Sequence, residues 1–496
     1  MKKLLILTIL IAPLFLKGQG VLDIYNISTS NYQGTAKSMA MGNAMGAVGQ
    51  DFSSIAINPA GVALFRKPTF TITPSLYNTY TKTEINGSDS WDSKSKISFN
   101  NIGYVSTLSA RNHSSYSDVW AFGMNRVNNF NNRVYTSFYN GYNSLVDPFI
   151  NELIDYHITD ADELSQFSPG YIYPLWQTYL LDFTPDGITS PIPVGGLTQI
   201  REVNTWGGTN EWNLTYGANI NDKIYFGLSL NMPYLYSKRA SSYGEINEND
   251  TPDNDFREWY QDESVSTTGW GFNVKAGVIV YPLRWLRVGF AFHSPSIYNI
   301  SESWRTETTS YFDNGQYYEQ YNYNTPTNTY SYIMKTPERY NFSAAFIFGN
   351  FGMITADYEL VNYKNMHVMN SNDYDYSYLN NAIDNNMALT GNFRLGTEWR
   401  FQNWCVRGGY SYNGSPYGLS SNILSYNSYS LGFGYTYRLF TIDVAYVIAG
   451  KYNEYYLYSP FTSYTIIDEQ GNLIPNNVKE STLVNNFIVT MRFRLF

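Results

Sequence analysis

The residues best able to do chemistry are few. Four histidines, His113, His157, His293 and His367, fall in no HExxH or other metal-binding spacing. No Gly-x-Ser-x-Gly elbow marks a nucleophile among the many serines. Gly42, Gly46 and Gly49 do not make a dinucleotide fingerprint and follow no strand, so close packing explains them better. The single Cys405 rules out an intramolecular disulfide and offers no metal cluster. The chain therefore reads as a non-enzyme with no metal and no cofactor. What remains is a set of charges, Lys275, Arg287, Arg394, Arg400 and Arg407 with Asp357, Glu359, Glu398 and Asp443. All fall on the polar phase of alternating segments, as does His293. Such cations either hold the carboxylate of a ligand or pair with the acids beside them, and pairing is the better reading for any one of them.

The segments that position these charges alternate with period two. Trp212, Leu214, Tyr216 and Ala218 alternate with Asn213, Thr215, Gly217 and Asn219, and after a turn at Asn221-Asp222 the pattern resumes through Ile224, Phe226, Leu228, Leu230 and Met232. The second face carries Gly, Ser, Asn and Thr where a soluble sandwich would carry Lys and Glu. Composition agrees: 15% of residues are charged, against about 25% in soluble domains. Mean hydropathy is only −0.33, because 47 Tyr, 29 Phe and 37 Gly take the place of charge. A transmembrane β-barrel needs that mixture of apolar exterior, polar lumen and aromatic girdles.

Fourteen segments alternate in this way: 69–84, 97–109, 118–139, 206–219, 223–238, 267–280, 285–304, 327–348, 351–365, 390–400, 404–415, 425–438, 440–456 and 480–496. Short connections near 220–222, 281–284, 349–350, 401–403 and 439–440 alternate with long ones near 140–205, 239–266, 305–326, 366–389, 416–424 and 457–479. Outer-membrane barrels have short periplasmic turns and long extracellular loops, which orients the chain. The reading is an all-β membrane protein, an antiparallel 14-stranded barrel over 69–496. Lys2 and Lys3 before the apolar run Leu4 to Leu16 predict a signal peptide over 1–18, cleaved near Gly18, with an inner-membrane anchor as the other reading. Its loss takes the formal charge from −9 to −12, since three lysines and no acid go with it. So acidic an exported protein argues against nucleic acid as a partner. Residues 19–68, Gly-rich up to the turn Asn58-Pro59-Ala60-Gly61, read as a periplasmic hatch for the barrel mouth. At the other end Phe487, Val489, Met491, Phe493 and Leu495 form the apolar face, leaving the terminal Phe496 one step out of phase.

The run from Gly34 to Gly49 followed by Asn58-Pro59-Ala60-Gly61 resembles the N-terminal hatch of the FadL/TodX-type outer-membrane transporters of hydrophobic compounds. Leu286 to Pro295 resembles that family's strand ending in Ser-Pro. Thr336-Pro337-Glu338-Arg339-Tyr340-Asn341, leading through Ala356-Asp357-Tyr358-Glu359 to Tyr363, resembles its Thr-Pro hairpin. The three motifs stand in the family's order and cover most of the chain. The resemblance implies a fourteen-stranded barrel plugged by a hatch that includes Gly42, Gly46, Asn58, Pro59, Ala60 and Gly61. It implies passive uptake of a hydrophobic small molecule, long-chain fatty-acid-like or aromatic, captured by extracellular loops and released laterally or past the hatch. Lys275, Arg287, Arg394 and Arg407 are then candidate lumen partners for a carboxylate. The apolar loop 140–205 supplies a candidate capture groove in Phe149, Leu153, Tyr173, Trp176, Tyr179 and Leu180, or else a self-packed cap. Asn128-Asn129-Phe130-Asn131-Asn132 interrupts the third segment where the family has a kinked strand and a lateral portal. The acidic stretch Glu245 to Glu263 reads as a solvated loop. Outer-membrane lipid and lipopolysaccharide are expected surroundings for a monomer. A second reading makes the barrel a structural or partner-binding subunit of a larger outer-membrane complex.

Overall fold

A computed structural model describes residues 20–109, 116–248, 255–313, 315–370, 375–418, 421, 423–457 and 477–495. The proposed signal peptide and Phe496 lie outside the described residues. The alternating segments become fourteen strands. These are β1 (Thr69–Ile85), β2 (Ser88–Ser109), β3 (Tyr116–Asn129, resuming as Asn132–Asn140), β4 (Leu197–Ile220), β5 (Ile224–Asn247), β6 (Phe256–Leu283) and β7 (Leu286–His293, resuming as Ile297–Asp313). They continue with β8 (Asn328–Lys335, resuming as Arg339–Phe348), β9 (Gly352–Asn362), β10 (Leu389–Phe401), β11 (Trp404–Asn413), β12 (Tyr426–Tyr437), β13 (Phe440–Tyr456) and β14 (Asn477–Arg494). Neighbours pair antiparallel, and β14 returns to β1 from Thr69↔Arg494 to Glu84↔Lys479, so the sheet closes into a barrel.

The alternation is inside out relative to a soluble protein. Leu214, Leu228, Phe290, Phe342 and Phe433 point outward and are exposed, whereas Thr215, Ser229, Asn341 and Ser428 point inward and are buried. Inward hydroxyls and amides satisfy one another across strands, as in Thr215–Ser229 at 2.7 Å and Asn101–Asn125 at 2.7 Å. Buried polar groups survive only when paired in this way. Among the described residues no helix is long and apolar enough to cross a membrane, which says nothing about strands.

Two breaks in the wall have a local cause. Pro295 and Pro337 lack the N–H a ladder needs. The ladder is repaired by side chains: Ser294 Oγ accepts from the Val274 N–H at 3.0 Å, and Thr336 Oγ1 accepts from the Ser296 N–H at 2.9 Å. The five short turns stand where expected. On the opposite rim four expectations need correction. The first connection is a two-residue Asn86-Gly87 turn with φ of 48° and 81°, the primed geometry that matches strand twist, so β2 begins at Ser88 and not at 97. The stretch 239–266 is mostly strand, since β5 runs to Asn247 and β6 starts at Phe256. Part of 305–326 folds back as a strand, Tyr318–Asn324, on β7. The largest loop ends earlier than 205, because β4 begins at Leu197.

Candidate functional site

The site is built from five parts: an internal segment, a charge network, an apolar sleeve, a cap and a break in the wall. Residues 20–65 lie inside the barrel. They form α1 (Val21–Ser28), α2 (Ala36–Ala40) and two 3-10 turns, Phe52–Ala56 and Pro59–Leu64. Asn58 closes the second turn by accepting from the Ala60 N–H at 3.0 Å, and its amide donates to the Gly46 carbonyl at 2.7 Å. The Gly46 N–H in turn reaches Asp357 of β9 at 2.9 Å. Backbone meets wall so closely that a Cβ on Gly409 of β11 would stand 2.1 Å from the Gly42 nitrogen, and Gly42 itself has φ of +60°. His293 of β7 donates Nε2–H to the Ile57 carbonyl at 2.9 Å, so it supports this segment.

The inward charges pair with one another. Glu359 lies between Arg339 at 2.6 Å and Arg394 at 2.5 Å. Arg407 joins Glu398 at 2.6 Å to Asp443 at 2.7 Å, and Arg400 and Arg492 complete the chain. Lys275 is paired with Glu211, and Arg287 donates to the Val48 carbonyl at 3.2 Å. All four cations named as carboxylate partners thus hold protein groups in this conformation. Arg339 also donates to the Ser28 carbonyl at 2.6 Å, tying α1 to β8.

Above this network the lumen becomes apolar. Ile24 and Tyr25 of α1 are surrounded by Leu235, Tyr298, Ile300, Tyr332, Met334 and Val361 of the wall, and by Tyr363, Met366 and Ile383 of the segment after β9. Asp23 of the same helix meets Arg239 of β5 at 3.1 Å, and Arg239 meets Glu263 of β6 at 3.2 Å. Glu263 in turn accepts from Tyr171 of the loop above and from Trp304. Sequence reading missed this sleeve. The available signal was apolar residues on both phases of one strand, as in Tyr330, Tyr332, Ile333 and Met334. Among the described residues the lumen holds a cavity of about 40 Å³ beside Lys275, His293 and Arg339 and another of about 20 Å³ beside Arg394. Each holds at most a few waters.

Residues 141–196 cap the barrel with α3 (Asp147–Asp155), α4 (Ala161–Phe167) and α5 (Tyr173–Gln177). Phe149, Leu153 and Leu180 are buried in the cap's core, with Leu164, Leu175 and Trp259. Tyr173 and Trp176 stack at its margin, and Tyr179 is exposed. Glu245 anchors the cap: fully buried, it accepts from Ser144 Oγ (2.6 Å), the Leu145 N–H (2.6 Å), Gln199 (2.7 Å) and Trp259 (2.9 Å). Burial pushes Glu152 and Asp147 above the ordinary carboxylate range.

The wall breaks in β3. The ladder from β2 to β3 ends at Asn101↔Asn125, and β3 itself loses its strand geometry at Phe130 and Asn131. The Asn128 amide donates to the Asn26 and Thr29 carbonyls of the internal segment at 3.0 and 3.2 Å, Asn129 Oδ1 accepts from the Asn131 N–H, and the Asn131 amide donates to Asn129 at 2.6 Å. The Gly207 carbonyl of β4 accepts three donors there: the Phe130 N–H (3.2 Å), Asn131 (3.2 Å) and Arg126 (2.7 Å). Beside the break, Asn31 and Gln33 of the internal segment donate to the Val127 and Arg126 carbonyls, both at 2.9 Å. Asn132 resumes the strand opposite Thr205.

No family model and no curated protein matches the chain. Solved structures do. The Pseudomonas putida toluene transporter TodX superposes with a TM-score of 0.52 over 93% of this chain and 98% of its own, at 10% identity. The deltaS2 mutant of the TodX monoaromatic hydrocarbon channel gives 0.53 over 94% and 99%, also at 10% identity. A Pseudomonas aeruginosa FadL homologue gives 0.50 over 93% and 98%, again at 10% identity. The chain therefore shares the fold of these barrels over 93–94% of its length.

Proposed function

We propose that this chain is an outer-membrane channel for passive uptake of hydrophobic small molecules. The observation that carries the reading is the apolar sleeve around α1, an apolar compartment set within an otherwise polar lumen. The sleeve packs α1 against the wall and stabilises it by apolar burial, and with α1 displaced it leaves an apolar compartment. It suits a ligand that water rejects. The exposed outer belt of Leu, Phe and Trp supports a wall set in a bilayer, and the shared fold with toluene and monoaromatic hydrocarbon channels supports the same class of substrate. In this reading residues 20–65 are the hatch. The margin of the cap, at Tyr173, Trp176 and Tyr179, is the first contact for a ligand. The break at Asn128 to Asn132 is the lateral portal. No residue is assigned a catalytic role. The cavities of about 40 and 20 Å³ are far below the roughly 300 Å³ a small-molecule pocket needs, so α1 must leave the sleeve before it fills. Lys275 and Arg287 brace the hatch while it is closed, through the Ala56 and Val48 carbonyls, Arg394 and Arg407 brace the wall around it, and a ligand carboxylate competes for these cations only once the hatch shifts.

One observation favours the second reading, a partner-binding barrel: the lumen is filled. Native mass spectrometry of the detergent-purified protein separates the two. The channel reading expects a co-purifying hydrophobic molecule that is lost in Ile300→Asn, which puts an amide in the sleeve. Reproducible absence of ligand, with membrane proteins held stably instead, would establish the partner-binding barrel.

A further inference from the structure

The ladder between β2 and β3 stops along half of β2. From Ser88 to Asn100 this strand pairs with β1 alone. The upper part of β3, Asn132–Asn140, stays paired with β4, while its backbone lies against side chains of the β1–β2 hairpin. Side chains make that contact. Thr81 and Thr83 of β1 donate to the Arg133 and Tyr135 carbonyls at 2.7 and 2.8 Å, and Ser90 accepts from the Ser137 N–H at 3.1 Å. Arg133 reaches Asp92 of β2 at 3.1 Å and Glu202 of β4 at 2.9 Å. Lys94 of β2 crosses to β4, donating to Asn204 Oδ1 and the Thr205 carbonyl at 2.6 Å each, with its ammonium 4.2 Å from the Trp206 ring.

The accounting of hydrogen bonds decides what this arrangement can do. The hairpin is anchored through β1 to β14, and the upper β3 is anchored to β4. The two wall segments can part without breaking one ladder bond. Along the paired strands, opening the barrel strips a whole ladder of backbone groups that have no partner in hydrocarbon, whereas parting the overlap strips only the few that Thr81, Thr83 and Ser90 satisfy. We propose that this overlap is a slot in the barrel wall latched by Lys94 and Arg133, which position the hairpin over the portal and set how often it opens. The proposal rests on the lateral-release reading above and adds its control. Both residues are positioning residues, since neither needs to touch what passes. The Arg133–Asp92 ion pair across this partly exposed seam weakens as salt rises, so the latch loosens with ionic strength.

The test uses the full-length protein, with Cys405→Ser, in proteoliposomes, and follows the uncharged fluorescent probe N-phenyl-1-naphthylamine into the bilayer. Ser90→Cys with Ser137→Cys supplies a disulfide lock across the overlap. Lys94→Met with Arg133→Gln removes the latch, and Lys94→Arg retains its charge. Heat-modifiable gel mobility confirms a folded barrel for each. The lock should cut transfer to the protein-free rate, with recovery on reduction. The unlatched variant should be faster than wild type by about threefold and insensitive to salt between 0.05 and 0.5 M (about one decade of ionic strength), whereas wild type and Lys94→Arg speed up with salt. If the lock has no effect, lateral release fails and this proposal fails with it. If the lock blocks transfer but the unlatched variant keeps wild-type rate and salt response, the latch is refuted and lateral release stands.

Discussion

Glu359 is the residue on which the lumen network turns, because two guanidiniums converge on one fully buried carboxylate. Removing one partner of a buried pair strands charge, at a cost of about 3–5 kcal/mol. Glu359→Ala is therefore expected to lower the urea midpoint of unfolding more than the paired change Glu359→Gln with Arg394→Met, which leaves one guanidinium unmatched instead of two. Glu152 of α3 gives a pH prediction outside the barrel wall. Its Oε2 has no hydrogen-bond partner among the described residues, and burial raises its pKa. A raised carboxyl pKa favours the protonated folded form, so the penalty is absent below the unfolded value of about 4.3. It grows as pH rises through the folded value and is complete above it. The cap should resist thermolysin better at pH 5 than at pH 8 when each is scored against Glu152→Gln, which should gain resistance only at the higher pH. The charges themselves were legible as polar-phase residues. Their partners were not, because pairing Arg394 with Glu359 depends on strand register, which a one-residue slip would reverse.

Elements show the same division. Segments with a strong contrast between faces along their whole length, such as β10 and β12, were legible with little error because apolar and polar residues alternate over the outer belt. Above the belt the contrast vanishes. In β6 from Phe256 to Thr268 both faces carry polar and aromatic residues, so a continuing strand looks like a loop. The N-terminal segment is fixed to the wall by backbone approach rather than by side-chain bulk. Gly409→Val should thus unseat it while the barrel survives. A protease cut within residues 34–49 that wild type resists would show this, and an unchanged digestion pattern would count against the close fit. The cap depends on Glu245 in a comparable way. Glu245→Ala leaves Trp259, Gln199 and Ser144 without their acceptor, each worth about 1–3 kcal/mol when buried unpaired. Cleavage within 141–196 should become fast, with the barrel band unchanged on a gel.

At the scale of the whole molecule, fourteen strands and their closure followed from alternation and connection lengths, which are local. The arrangement inside the barrel is not local at all. The Ala36 N–H donates to Thr490 Oγ1 at 2.7 Å across 454 residues of chain, and Asn486 donates to Gln33 at 2.9 Å across 453. Groups near the beginning of the described chain therefore receive their partners from its final strand. Contacts so distant in sequence are slow to form, so the internal segment should gain protease protection late in refolding, in the same kinetic phase in which β14 joins β1. Assembly has an order built into it: the closing joint and the filling of the interior are one event, and a chain halted before its last strand would be left with an unfinished wall and an unmoored beginning.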